Sequence, residues 1–267
     1  MTTRLLVFDS GIGGLSVLRE IRRKLPAAKI AYVADDAAFP YGDWDAAPLS
    51  DHIVALMGGL IERFSPDAVV IACNTASTLV LPPLRALHAT PFIGTVPAIK
   101  PAAARSNSHV VGVLATPGTM KRDYTRELIR SFARDCHVRL VGSSELAPLA
   151  EAVMRGDPVD NAALRTEIEP AFIEVDGKRT DTIVLACTHY PFLIERLEAV
   201  APWPVVWVDP AEAIARRVLS VLSLTAEPSD TPMAEGEAFL TSGKPWAPAQ
   251  LRLLARFGLV GRTERLA

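Results

Sequence analysis

Short apolar runs of strand length alternate along the chain with longer segments whose apolar residues recur at helical spacing. This alternation predicts an α/β protein built on mainly parallel sheets flanked by helices. The candidate strands are residues 4–8, 29–33, 68–72, 91–94, 109–115, 138–141, 181–186 and 205–208. Helices fill most of the gaps. In the first, Leu15, Leu18, Ile21 and Leu25 form one apolar stripe, while Arg19, Glu20, Arg22, Arg23 and Lys24 are expected to face water. Beyond residue 73, Pro82 and Pro83 predict a kinked pair of helices, because proline lacks an N–H and clashes with the turn before it. Residues 227–235, rich in Pro, Ser, Asp and Thr, predict a loop before a closing strand and helix.

Two stretches echo each other. Ala68-Val69-Val70-Ile71-Ala72-Cys73-Asn74-Thr75 is mirrored by Thr182-Ile183-Val184-Leu185-Ala186-Cys187-Thr188-His189. In both, a buried-type strand ends in Ala-Cys, a polar pair follows and an apolar helix begins. Leu6-Val7-Phe8-Asp9-Ser10-Gly11 pairs in the same way with Val111-Gly112-Val113-Leu114-Ala115-Thr116. A duplicated α/β unit explains both echoes and predicts two pseudosymmetric domains. One would comprise residues 1–96 with 210–267, the other 97–209.

Composition narrows the function. Among 267 residues, 28 basic side chains nearly balance 30 acidic ones, and no run of like charge exceeds Arg22-Arg23-Lys24. Nucleic acid and anionic membrane are therefore not expected as main partners. The chain enters its first strand without a basic region, a long apolar stretch or a cleavage site, which points to the cytoplasm. Cys73, Cys136 and Cys187 lie far apart and form no C-x-x-C, so neither a disulfide framework nor a zinc ribbon is expected.

Residues just past parallel strands face the ligand crevice. Cys73 and Cys187 both stand there, and each precedes polar groups that are costly to bury unpaired, Asn74-Thr75 and Thr188-His189. A thiol acting as a base needs a lowered pKa, which a helix N-terminus or a neighbouring cation supplies. Asp9-Ser10-Gly11-Ile12-Gly13-Gly14 offers backbone N–H groups at the start of the first helix, suited to a carboxylate, although it is not G-x-G-x-x-G. His189 lies close enough in sequence to Cys187 to orient or deprotonate it. His52, His88, His109 and His137 have no such company and are expected to be structural or solvated. Thr116 and Thr119 read first as helix-capping residues and second as ligand contacts. Tyr41-Gly42 reads as turn chemistry, Cys136 as packing, and Glu151 as a surface carboxylate.

Taken together, these segments resemble the glutamate racemases of the aspartate/glutamate racemase superfamily. The matching stretches are Phe8-Asp9-Ser10-Gly11-Ile12-Gly13-Gly14-Leu15, Pro40-Tyr41-Gly42, Ala72-Cys73-Asn74-Thr75-Ala76-Ser77, Val96-Pro97-Ala98-Ile99-Lys100-Pro101-Ala102 and Cys187-Thr188-His189-Tyr190-Pro191. The resemblance implies an active site in the cleft between the two domains and interconversion of L- and D-glutamate for peptidoglycan, with neither cofactor nor metal. It implies that Cys73 takes the α-proton from D-glutamate with help from Asp9, and Cys187 that of L-glutamate with help from His189. Ser10, Tyr41, Gly42, Asn74, Thr75 and Thr188 would hold the substrate, and Glu151 would be a further polar participant. The partner expected is the small-molecule substrate, and a homodimer stays open.

Departures are few. Ala186 stands where the family commonly has Gly, and Asp209-Pro210-Ala211-Glu212 where it has Asp-Ser-Gly-Ala. The 96–102 segment looks like the branch activated by UDP-N-acetylmuramoyl-L-alanine, but the N-terminal extension often found there is missing, so that activator is not expected. Two rivals stay open: a racemase of aspartate or another acidic amino acid, and a non-catalytic amino-acid-binding or regulatory protein on the same scaffold.

Overall fold

In the computed structural model, which describes residues 2–264 and 266, the chain runs through two parallel sheets in succession and then returns to the first. The strands are β1 (Arg4–Asp9), β2 (Lys29–Ala34), β3 (Ala68–Ile71), β4 (Phe92–Gly94), β5 (Val110–Ala115), β6 (His137–Gly142), β7 (Glu174–Val175), β8 (Lys178–Arg179), β9 (Thr182–Ala186), β10 (Val206–Val208), β11 (Gly236–Leu240) and β12 (Leu259–Arg262). The first sheet has the order β12-β11-β2-β1-β3-β4 and the second β10-β9-β5-β6. Every pairing in both is parallel. The strands β7 and β8, unforeseen in the hydrophobic pattern, make a separate antiparallel hairpin.

The echo in sequence is an echo in topology. The order β2-β1-β3-β4 in the first sheet is repeated as β6-β5-β9-β10 in the second. Thus β3, which leads to Cys73, and β9, which leads to Cys187, occupy equivalent places. Period-two alternation sends Leu5 and Val7 to one face of β1, and Leu6 and Phe8 to the other. Both faces are covered by helices, which is why these strands read as unbroken apolar runs. The second sheet is likewise covered on both faces, with Leu114, Ile183 and Leu185 on one side and Val113, Ala115 and Val184 on the other.

The helices are α1 (Leu15–Lys24), α2 (Ala46–Phe64), α3 (Asn74–Leu87), α4 (Ile99–Arg105), α5 (Pro117–Met120), α6 (Asp123–Phe132), α7 (Leu146–Arg155), α8 (Asn161–Ile168), α9 (Ile194–Val200), α10 (Ala211–Val221) and α11 (Pro248–Ala255). The kinked pair expected after residue 73 is instead the single helix α3, with Pro82 and Pro83 inside it. Ala76, Val80 and Leu84 keep one helical face on the sheet, and that burial outweighs the backbone bonds the prolines remove.

Two water-facing assignments in α1 also fail. Glu20 is buried beside Arg19 and Arg23, and Arg22 is buried with its guanidinium donating to the carbonyls of Pro26, Ala28, Ala234 and Phe257. The predicted loop at 227–235 leads into β11 as expected, and α11 then feeds an additional edge strand, β12. Among the described residues, no helix is long and apolar enough to cross a membrane.

Candidate functional site

Where the carboxyl ends of the two sheets meet, one small cavity is lined by Ser10, Phe39, Pro40, Tyr41, Gly42, Cys73, Asn74, Thr75, Thr116, Ala147, Cys187, Thr188 and His189. Both sheet-bearing halves contribute, and each contributes one cysteine. Ten of the thirteen residues anticipated from sequence line this cavity. The other three support it from behind: Asp9 beneath the first turn, Thr119 behind Thr75 and Thr116, and Glu151 behind His189.

Asp9 ends β1 and is fully buried, with Oδ2 accepting the Gly14 N–H at 2.7 Å. Burial raises its pKa to about 6, against the opposing pull of His189 and the Gly14 N–H. Cys73 is the N-cap residue of α3, and its thiol lies 3.9 Å from Ser10 Oγ. The expected depression of this thiol by the helix end is not met. Burial, reinforced by the negative charge of Asp9, pushes the Cys73 thiol well above its ordinary pKa.

Cys187 follows β9 directly, but a short 3₁₀ turn at Tyr190–Leu193 precedes α9, so this thiol does not cap an α-helix. Its polar neighbour is His189, whose Nδ1 lies 3.8 Å from the sulfur. On the far side, His189 Nε2 is 2.9 Å from Glu151 Oε1, which also accepts the Ile12 N–H at 2.7 Å. Burial alone would neutralise this pair. The bonds to Cys187 and Glu151 nevertheless hold His189 well above its usual pKa. For Glu151, the bonds from His189 and Ile12 overcome burial and hold the carboxyl below its ordinary range. Glu151 is therefore not the surface carboxylate that its apolar helix suggests. Long-range contact with the first turn buries it.

That contact explains the glycines after β1. A methyl group on Gly13 would overlap the His189 ring, and one on Gly11 would overlap the Glu151 carboxylate. The Gly11-Ile12-Gly13-Gly14 turn thus admits side chains from the other half of the molecule. Ser16 Oγ adds a further bond across the seam, donating to Thr188 O at 2.9 Å.

The opposite wall is built from hydroxyls. Thr75 Oγ1 lies 2.8 Å from Thr116 Oγ1 and 3.2 Å from Thr119 Oγ1, joining α3 to the start of α5. Thr116 caps α5 by accepting the Thr119 N–H, as expected, and it also lines the cavity. The Tyr41 hydroxyl donates to Asp35 at 2.5 Å, and Tyr41 also lines the cavity. Neither side-chain amide atom of Asn74 has a hydrogen-bond partner among the described residues, although both are buried. Buried polar groups are normally satisfied, so this amide is poised for a ligand. Sequence reasoning missed Phe39 and Ala147, whose apolar character gives no chemical signal. It also missed Asp35, which stands just past β2 where the crevice rule points.

The cavity measures about 20 Å³, room for roughly one water molecule and too little for an amino acid. The two halves pack closely around it, with Ile12 N–H bonded to Glu151 and Ser16 to Thr188 across the seam.

A small cavity between two parallel sheets, lined by two thiols and an imidazole, is the candidate active site. A family profile described as Asp/Glu/Hydantoin racemase matches residues 12–218. The chain is 57% identical over 256 residues to the glutamate racemase of Brucella canis, covering 96% of this chain and 92% of that protein. It is 56% identical over 258 residues to that of Sinorhizobium medicae, covering 96% and 94% respectively. Among solved structures, Escherichia coli glutamate racemase in complex with L-glutamate and the activator UDP-MurNAc-ala superposes with a TM-score of 0.87 at 41% identity, covering 98% of each chain. The chain belongs to the Asp/Glu/Hydantoin racemase family and is an isomerase.

Proposed function

We propose that this enzyme interconverts L- and D-glutamate by moving protons between the substrate's α-carbon and two cysteines, without a cofactor. The observation that carries this reading is the placement of Cys73 and Cys187 after equivalent strands of a repeated topology, on one shared cavity. Inversion at a tetrahedral carbon needs a base on one face and an acid on the other. One thiolate and one thiol supply both.

Cys73 takes the α-proton from D-glutamate and Cys187 from L-glutamate, and the opposite cysteine donates to the other face. Removing the α-proton leaves a carbanion, so fixed donors and exclusion of water must stabilise it. The burial that raises the Cys73 pKa is offset when the ammonium group of the amino acid enters the same small space. Asp9 assists Cys73, and His189, oriented by Glu151, assists Cys187. Asn74, Thr75, Thr116 and Thr188 bind the carboxylates, with Ser10 and the Tyr41-Gly42 backbone closing the wall and Thr119 steadying the hydroxyl cluster.

The two halves act as domains, 1–96 with 210–267 and 97–209, which open to exchange substrate and close for proton transfer. The D-glutamate made in the cytoplasm supplies peptidoglycan. Support for glutamate as substrate comes from the named activity of the relatives and from the E. coli complex.

The test is loss of optical rotation from L-glutamate in deuterated buffer with no added cofactor. Deuterium is expected at Cα of the product. Faster turnover of aspartate than of glutamate would reassign the substrate, and inertness towards both would refute the reading.

A further inference from the structure

Outside the cavity, the ends of three neighbouring strands converge on one buried carboxylate. Asp35 follows β2, and its N–H donates to Asp9 O at 2.8 Å. Thr241 follows β11, and its N–H donates to Ala34 O at 3.0 Å. The Asp35 side chain is only 1% exposed. Its Oδ1 accepts from Thr241 Oγ1 at 2.6 Å, and its Oδ2 accepts from the Tyr41 hydroxyl at 2.5 Å and lies 2.6 Å from His52 Nε2. Among the described residues, His52 is the only basic side chain within ion-pair distance of this carboxylate.

His52 comes from α2, the helix that follows the segment bearing Tyr41 and Gly42. It touches that segment twice. Its Nε2 meets Asp35 at the beginning, and its ring stacks on Trp44 near the end, with centroids 5.6 Å apart and planes at 28°. Trp44 Nε1 in turn donates to Ala38 O at 2.9 Å. The segment between β2 and α2 is therefore buckled by one side chain at both ends, and the stretch between the fastenings forms a wall of the cavity. His52 reaches solvent, with 35% of its side chain exposed, and does not line the cavity.

We propose that His52 is a positioning residue for racemisation: by fastening Asp35 and Trp44 it presents Tyr41 and Gly42 in the one arrangement that receives the amino acid. This rests on the reading of the cavity as the amino-acid site. Loosening the buckle adds conformers of the segment that do not bind, and apparent affinity falls by the fraction of molecules that remain competent. The cysteines are untouched, so turnover of bound substrate is preserved.

Steady-state kinetics in both directions test this. His52→Ala is expected to raise KM for both enantiomers about tenfold, the weight of one charge-assisted hydrogen bond, with kcat within about twofold of wild type. His52→Gln, whose amide N–H still reaches toward Asp35, restores most of the affinity. An unchanged KM in His52→Ala, a fall in kcat without a rise in KM, or a Gln variant as impaired as Ala would each overturn the proposal. Trp44→Ala removes the second fastening and leaves Asp35 its donor, so it keeps the test readable if His52→Ala does not fold. A raised KM there supports the buckle, and an unchanged one refutes it. Wild-type turnover measured alongside separates the two levels: an inert wild type sinks the amino-acid reading, whereas an active wild type matched by its variants sinks only the role of His52.

Discussion

At the scale of single residues, the two halves surround their thiols differently. Cys73 has Asp9 and Ser10 for company in a fully buried corner, while Cys187 has an imidazole backed by a carboxylate. If both thiols exchange protons with one carbon, Cys73→Ala and Cys187→Ala are each expected to lower racemisation by about 10²–10⁴-fold or more. Polarimetry reads that loss, and a nearly unchanged melting temperature shows that the fold survives. Asp9 carries a separate signature. Its pKa of about 6 against an ordinary value of 3.8 means that the folded protein binds the proton more tightly than the unfolded chain. Stability contributed at Asp9 therefore falls as pH rises from about 4 to about 6, by on the order of 3 kcal/mol. Asp9→Asn is expected to be more stable than wild type at pH 8 and to lose that advantage near pH 4 in urea titrations, while its activity falls.

At the scale of elements, turns and helix ends decide what the strands can deliver. The turn after β1 is glycine-rich because His189 and Glu151 arrive from the other half. Gly13→Ala is expected to displace the His189 ring and reduce kcat by an order of magnitude or more in polarimetric assays, with a smaller effect on the melting temperature. Glycines of this kind resemble a phosphate cradle in sequence, and only the approach of a distant side chain tells the two apart. Arg22 plays the corresponding structural part at the end of α1. Burial lowers its pKa to about 10, and its guanidinium gathers four carbonyls from the 26–28 turn, Ala234 and Phe257. Replacement by Met leaves those acceptors without their donor and is expected to cost about 3–5 kcal/mol in denaturant unfolding. The apolar stripe of α1 was legible because periodicity records which face is buried. It does not record that a cation is also buried, since carbonyls spread over more than two hundred positions supply its compensation.

At the scale of the whole molecule, the proposed function turns on closure. Ser16 to Thr188, Ile12 to Glu151 and Thr75 to Thr116 are bonds between the two sheet-bearing halves, and the space they enclose is too small for glutamate. If glutamate is bound in this cavity, its entry and release break such bonds, and opening is expected to limit turnover. The relative kcat should then fall as sucrose raises solvent viscosity. A kcat indifferent to viscosity would place the slow step in proton transfer.

Local pattern determined most of the sheet strands, the stripe of α1, the repeated strand–Cys–polar arrangement and the lining residues that follow strand ends, while the family resemblance supplied Tyr41 and Gly42. Pattern could do so because parallel strands buried on both faces must be continuously apolar, and because polar groups just past their ends sit at the crevice. Tertiary structure alone decided that α3 runs unbroken through two prolines, that Glu151 is buried, that Arg22 is a buried clamp and that His52 fastens Asp35. Each of these depends on a partner remote in sequence or on a neighbouring layer. Burial of a charge or a proline is set by the groups that compensate it, and chain order does not announce which groups those will be.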